Sequence, residues 1–407
     1  MQKLYMCQTQ DVKQMFKFAD HSFNLLTEMK FETKAIWVGQ AADKATGATI
    51  VPIYQTSTFT QEEVNKHKGY EYSRVGNPTR SALDTCLASL EEGKYGLSFS
   101  SGLAAEHAIL SLLRPGDHVI APEDMYGGTY RLIKEIFEPF DIKFTFADFT
   151  DLKVIEKAFL PSTKMVWIET PTNPLLKIFD IQAISELSHK KNAIVVVDNT
   201  FLSPYFQKPL LLGADIVVHS TTKYINGHSD IIGGAVILNN TEFFEKIQLV
   251  QKSVGAVPSP FDSWLTLRGV KTLAVRMKQH EINAFKVAGF LQNQQNVLEV
   301  FFPGLESHPG YVIAKKQMTG FGGVVSFKIR GGLNECNTFF KNLKIFQLAD
   351  SLGGIESLAN YSALMTHDYF PKELRQKIGV TDNLIRLSIG IEHIDDLLED
   401  LKNALAS

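Results

Sequence analysis

The sequence is short of cysteine and has no long apolar run. Its three cysteines, Cys7, Cys86 and Cys336, stand far apart among 407 residues. That spacing excludes a disulfide framework and offers no metal-ligand pattern; it fits reduced thiols in a cytoplasmic protein. No apolar stretch reaches the ~20 residues that cross a bilayer, so no membrane partner is expected. Residues 1–30 are weakly amphipathic and lack the continuous apolar core of a signal peptide. They read either as a dispensable extension or as an arm that packs on a neighbour. Charge is nearly balanced, with 41 Lys and Arg against 44 Asp and Glu. No basic tract argues for nucleic acid, and no acidic tail suggests a charged partner. Repeats and low-complexity tracts are missing too. What remains is an ordinary globular composition in a chain too long for one core.

The organisation follows from periodicity. From about Tyr95 to Leu238, short apolar runs alternate with helical stretches: "YGLSF", "DHVIA", "IKFTFA", "KMVWIE", "AIVVVD", "ADIVVHS" and "GGAVIL". This predicts an α/β layer with a mostly parallel sheet, whose ligands gather at the carboxyl ends of strands. After about Asn239 long helices dominate, with strand candidates "GVVSFKI", "KIFQLA" and "IRLSIG" among them. That texture predicts a smaller α+β domain. The expected division is 1–90 as an N-terminal extension and arm, 91–260 as the large domain and 261–407 as the C-terminal domain. The segment "QTSTFTQEEVNKHKGYEYSRVGNPTR" is long for a connection, and such segments are usually functional or reach another subunit.

Three strand ends carry the chemistry. "HSTTKYINGHSD" places Lys223 among hydroxyls directly after an apolar strand. Alone, such a lysine reads as a solvated turn residue. "AIVVVDNTF" ends on Asp198, a carboxylate that must be paired, cap a loop or face a polar cleft. "LSFSSGLAAEHA" is a strand, a small-residue turn and a helix start. The amides of Gly102 and Leu103 there form an anion nest, or an ordinary helix cap. Read jointly, these ends supply an amine, a carboxylate, an anion nest and the hydroxyls of Ser220 and Thr222. Those parts hold pyridoxal 5'-phosphate: the amine bonds its aldehyde, the carboxylate pairs with its ring nitrogen, and the amides and hydroxyls take its phosphate.

The motifs "YEYSRVGNPTR", "SSGLAA", "DMYGGTYR", "ETPTNP", "VVDNTF", "HSTTKYINGHSD", "SLGGIESL" and "IRLSIGIE" extend this pattern. From about Phe31 to the C-terminus the chain resembles the Cys/Met-metabolism pyridoxal-phosphate-dependent enzymes. The resemblance implies a fold type I, aspartate aminotransferase-like architecture, with a large α/β domain and a smaller C-terminal α+β domain. It implies Lys223 as the cofactor-bonding lysine and proton shuttle, and Tyr126 as the residue that stacks on the ring and exchanges protons. Asp198 would pair with the ring nitrogen, and Gly102, Leu103, Ser220 and Thr222 would hold the phosphate. Tyr72 and Arg74 would reach the phosphate of a neighbouring subunit, in a homotetramer built as a dimer of dimers. Asn173 and Arg386 would fix the substrate α-carboxylate, with Ser351 orienting the lysine or that site. Glu71, Arg131, Asp350 and Thr366 would surround the distal end of a small amino-acid substrate. Because Tyr126 must lose its proton near neutrality, cationic charge from Arg74 or the cofactor is expected to lower it from ~10.

Within the family, Gly128 stands where methionine γ-lyases carry a cysteine. Ser351-Leu352-Gly353-Gly354 lacks the aromatic residues of β-lyases. The expectation is therefore γ-elimination of L-cystathionine to cysteine, 2-oxobutyrate and ammonia, with hydrogen sulfide as a side product from cysteine or homocysteine. γ-Replacement of an activated homoserine ester is the alternative. A cofactor-binding protein without catalysis is a third reading, and the joint presence of Lys223, Tyr126, Asp198 and Arg386 argues against it. Three positions depart from the pattern: Asp350 where Glu is usual, Ser362 where Pro is usual and Asp368 where Ala is usual.

Overall fold

The computed structural model describes residues 29–406. The reading of residues 1–30 thus lies almost wholly outside the described residues, as does Cys7. Seven strands form the larger sheet: β1 Tyr95–Phe99, β2 His118–Pro122, β3 Lys143–Ala147, β4 Thr163–Glu169, β5 Ile194–Asp198, β6 Ile216–His219 and β7 Gly234–Leu238. Their order is β1-β7-β6-β5-β4-β2-β3. β7 runs antiparallel to both neighbours, and every other pairing is parallel. Each of the seven apolar runs becomes one of these strands.

Side chains along a strand alternate between faces, so a sheet covered on both sides needs two apolar sets. β4 sends Met165 and Trp167 into one core and Val166 and Ile168 into the other. β5 and β6 divide the same way, with Val196, Ile216 and Val218 opposite Val195, Val197 and Val217. Helices cover both faces, and the carboxyl ends of β4, β5 and β6 open toward one common space.

The second sheet holds β8 Val297–Phe301, β9 Val324–Ile329, β10 Gln347–Leu348, β11 Leu358–Asn360 and β12 Leu384–Ser388, in the order β10-β11-β12-β9-β8. It packs on the helices Leu273–Gln292 and Ile394–Leu405 through a core that includes Val325, Phe327, Ile385 and Leu387.

Sequence and structure differ at a few elements. The stretch "GGTYRLIKEIFEPF" is not one uniform helix: it is α-helical for Gly127–Leu132, widens to a π turn at Ile133–Phe137 and ends in a 3-10 turn with Pro139. Among the long helices after Asn239, Val270 closes Pro260–Val270, and the next helix begins separately at Leu273. "KIFQLA" pairs only over Gln347–Leu348. β8 and β11 have no counterpart among the expected strands.

Candidate active site

A cavity of about 390 Å³ lies at the carboxyl ends of the larger sheet, closed on its far side by the second sheet. One wall comes from strand ends and a helix start. Ser101 caps the helix Gly102–Leu110, its Oγ accepting from Ala104 N at 3.0 Å. Gly102 keeps this approach close: a Cβ there would lie 3.0 Å from the Cβ of Ser220, so Ser220 would have to shift by a few tenths of an ångström. Ser220 N donates to Thr200 Oγ1 at 2.9 Å, and Thr222 Oγ1 exchanges hydrogen bonds with Gly233. These contacts bring Gly102, Leu103, Ser220 and Thr222 to one end of the cavity.

Asp198 ends β5 and opens onto the cavity, where its Oδ1 accepts from Thr200 N at 2.9 Å. Burial pushes its carboxyl up; the Thr200 hydrogen bonds and the His219 side chain pull it back. Lys223 lies in the turn after β6. Its Nζ donates to Ser351 Oγ at 2.7 Å. Burial, aided by the Arg386 guanidinium, brings this amine down to about 8 against the opposing pull of Asp350.

The other wall centres on Arg386 of β12, which is only 2 % exposed. Its Nη1 donates to Asn173 Oδ1 at 3.0 Å and its Nη2 to the Ser351 carbonyl at 2.6 Å. Its Nε has no hydrogen-bond partner among the described residues. Ser351 takes φ +98°, a conformation that costs free energy in a non-glycine residue and collects at functional sites. Asp350 is exposed at the mouth, its Oδ1 held by Asn360 Nδ2 at 3.0 Å. Arg131 lies over the Tyr369 ring, 4.6 Å from its centroid, and Thr366 Oγ1 pairs with His367 Nδ1 at 2.9 Å. Asp350, Arg131 and Thr366 all line the cavity.

Tyr126 presents its ring to the cavity. Gly128 is what allows this: a Cβ there would meet the Tyr126 ring at 2.4 Å. The expectation of a lowered phenol is not met by this chain's own side chains. Desolvation raises it first, then Glu106, with Glu169 and Asp350 adding, and only Arg131 opposes. Glu71, Tyr72 and Arg74 are not brought to this cavity. They are exposed on the segment before the helix Pro78–Leu90, where Arg74 Nη1 donates to the Lys252 carbonyl at 2.5 Å and Glu71 meets His67 at 3.0 Å.

Two carboxylates were not assigned from sequence. Glu169 ends β4 and accepts from the backbone amides of Tyr126 at 2.8 Å and Asn173 at 2.9 Å, tying the two walls together. Its place in "ETPTNP" was the available signal. Glu106 projects from the helix Gly102–Leu110 into the cavity, its Oε2 without a hydrogen-bond partner among the described residues. Burial drives both well above the usual carboxylate range, and the charge of Asp198 adds to it.

A lowered lysine amine, a carboxylate at a strand end and an anion nest at a helix start suit a ligand that combines an aldehyde, a basic ring nitrogen and a phosphate. The class is that of lysine-anchored, fold type I pyridoxal-phosphate enzymes. The chain belongs to the Cys/Met metabolism PLP-dependent enzyme family, whose model matches residues 32–406. It is 52% identical over 377 residues to a cystathionine gamma-lyase of Dictyostelium discoideum, covering 92% of this chain and 97% of that one. It is also 52% identical over 374 residues to a cystathionine beta-lyase of Lactococcus lactis subsp. cremoris, covering 92% and 98%. A solved structure of cystathionine gamma synthase from Xanthomonas oryzae pv. oryzae, in complex with aminoacrylate and cysteine, superposes with a TM-score of 0.91 at 44% identity, covering 93% of this chain and 98% of that one. The protein is thus a pyridoxal-phosphate-dependent enzyme of sulfur amino-acid metabolism. Among the described residues, no helix is long and apolar enough to cross a membrane.

Proposed function

We propose that the enzyme γ-eliminates L-cystathionine, consuming water and giving L-cysteine, 2-oxobutyrate and ammonia. The observation that carries this reading is a cavity with two charged ends. Arg386 and Asn173 offer donors to one amino-acid head, and Arg131 and Asp350 present opposite charges at the mouth to a second. A substrate with two zwitterionic heads uses both.

When bound, pyridoxal phosphate supplies an aldehyde that captures the substrate amine and a ring that accepts the electron pair left by the α-proton. Lys223, freed from the aldehyde, takes that proton at Cα. Its amine is neutral in a large fraction near pH 8, which suits a base at working pH. The hydrogen bond to Ser351 aims it, and the contact of Arg386 with the Ser351 carbonyl ties that aim to carboxylate binding. Once it had released that proton to the bound cofactor, Lys223, neutral again, would take a second one from Cβ. Tyr126 keeps its phenol proton in this environment and delivers it to the departing sulfur. Glu169 holds Tyr126 and Asn173 in register while this happens.

Tyr72 and Arg74 complete a neighbouring subunit's phosphate site in this reading, and Glu71 its substrate site, within a homotetramer. Their exposure in the single chain supports it. The buried free thiols of Cys86 and Cys336 agree with a cytoplasmic location. The test is product identification. Purified enzyme given cystathionine should release 2-oxobutyrate. Pyruvate would instead indicate β-elimination. Cystathionine formed from an activated homoserine ester and cysteine, without 2-oxobutyrate from cystathionine, would indicate the synthase reaction.

A further inference from the structure

At the mouth of the cavity two consecutive residues of a helix meet two consecutive residues of a loop. Tyr130 and Arg131 belong to the helix Gly127–Leu132, and Tyr369 and Phe370 follow Thr366. The inner pair is buried: Phe370, 3% exposed, stacks on Tyr130 with ring centroids 4.1 Å apart and planes at 26°. The outer pair is open: Tyr369 is 58% exposed, and the Arg131 guanidinium lies over its ring, 4.6 Å from the centroid. Both members of the outer pair line the cavity. Tyr369 is placed by its neighbours. The buried His367 donates from Nε2 to the Asn173 carbonyl at 3.0 Å and stacks on Phe370. Gly127 lets the loop come close, since a Cβ there would strike the Thr366 carbonyl. A surface tyrosine usually does no more than cover a neighbour. Here the neighbour is an arginine whose side chain has no hydrogen bond and no ion pair among the described residues. A guanidinium can give its face to an aromatic ring and keep its N–H edge for a planar carboxylate. A long side chain already held in this way loses less freedom when a ligand arrives.

We propose that Tyr369 helps to select the substrate by holding Arg131: its ring fixes the guanidinium at the mouth, where the free N–H edge takes the carboxylate at the far end of a substrate with two amino-acid heads. Tyr369 is a positioning residue that acts through Arg131. The inference deepens the reading of cystathionine as substrate and rests on it. Homocysteine has a single carboxylate, which Arg386 and Asn173 take, so it gains nothing from the outer pair.

The test measures 2-oxobutyrate release by the holoenzyme from cystathionine, and the KM or inhibition constant of homocysteine. The proteins are wild type, Tyr369→Phe, Tyr369→Leu, Arg131→Ala and Arg131→Ala combined with Tyr369→Leu. Tyr369→Leu keeps an apolar side chain without a ring face. It is expected to raise KM for cystathionine about two- to fivefold, the scale of an exposed cation–π contact, while kcat and the homocysteine constant stay as in wild type. Tyr369→Phe keeps the face and is expected to keep the low KM. In the Arg131→Ala background, Tyr369→Leu is expected to add nothing, because the two residues act as a unit. The inference is overturned if Tyr369→Leu leaves the cystathionine KM unchanged or shifts both compounds alike. It is also overturned if Tyr369→Phe is as poor as Tyr369→Leu, or if Tyr369→Leu costs as much without Arg131 as with it. Any of these results, with wild type releasing 2-oxobutyrate from cystathionine, leaves the proposed reaction standing. Wild type that releases none sinks the proposed reaction, and the inference with it.

Discussion

The two walls of the cavity are built differently. On the larger-sheet wall, Asp198, Ser220, Thr222 and Lys223 sit at or just beyond the ends of adjacent buried strands, and Gly102 and Leu103 open a capped helix. On the other wall only Arg386 lies within a strand; Asp350, Ser351 and Thr366 lie in loops. The sequence departures fall on or beside the second wall. Asp350 lines it, Ser362 and Asp368 lie in the loop that carries Thr366, and the buried Ser362 Oγ donates to Asn360 Oδ1 at 3.1 Å while Asn360 holds Asp350. A wall set by strand ends fixes the kind of chemistry. A wall set by loops can change which substrate that chemistry receives.

The contrast is broken most completely from the strand-end wall. Lys223→Ala should fold, yet turnover should fall by about a thousandfold or more, the scale of losing a positioned proton-transfer group. Borohydride reduction of wild type followed by peptide mapping should place the cofactor on Lys223. The rate at which the ligand-free protein captures pyridoxal phosphate should rise with pH, with a midpoint near 8, because only the neutral amine attacks an aldehyde. A midpoint near the ordinary lysine value would show that burial does not govern this amine.

On the second wall, Arg386→Lys should keep the visible spectrum of the bound cofactor and lose substrate. Lysine cannot reproduce a planar fork that reaches Asn173, Ser351 and a carboxylate at once. Losing hydrogen bonds to a charged group costs about 1.5–3 kcal/mol, or about ten- to a hundredfold in kcat/KM. Most of that should appear in KM. A changed spectrum with unchanged KM would move Arg386 to the cofactor side of the comparison.

A third region belongs to neither wall in the single chain. Glu71, Tyr72 and Arg74 were legible only through the motif "YEYSR", since an exposed turn carries no burial or periodicity signal. The strands of the larger sheet were legible because they are buried on both faces and therefore read as unbroken apolar runs. β8 was not, because no residue of "VLEVF" is fully buried, and β11 spans only Leu358–Asn360. Lys223 and Asp198 announced themselves at strand ends. Glu106 and Glu169 did not, because their place in the site arises from burial and from contacts made only in the fold, such as that of Glu169 with Tyr126, 43 residues away. If Arg74 serves a neighbour, mixing inactive Arg74→Ala and Lys223→Ala subunits should restore up to about a quarter of wild-type activity, by the statistics of random pairing. No recovery, with subunit exchange demonstrated, would confine Arg74 to its own chain.

The smallest effect should come from Asp350, and it tests whether the loop wall selects substrates. Asp350 is exposed and anchored by Asn360, so its field reaches the cavity mouth through solvent. If the proposed reaction holds, a carboxylate so placed would meet the distal ammonium of cystathionine through water, a contact nearly as favourable as a direct one. Asp350→Ala should therefore weaken cystathionine relative to homocysteine by about 1 kcal/mol, the upper range for screened charges. Asp350→Glu lengthens the side chain by one methylene and should shift the same ratio without altering the cofactor spectrum. In the proposed reaction both compounds would present an α-carboxyl group to Arg386, but only cystathionine carries a second ammonium. A common change in both would place Asp350 with the fold or with Lys223, whose amine it also pulls upward. A change confined to cystathionine would fix the difference between the walls, with the strand ends serving every substrate and the loop reading only the far end of one.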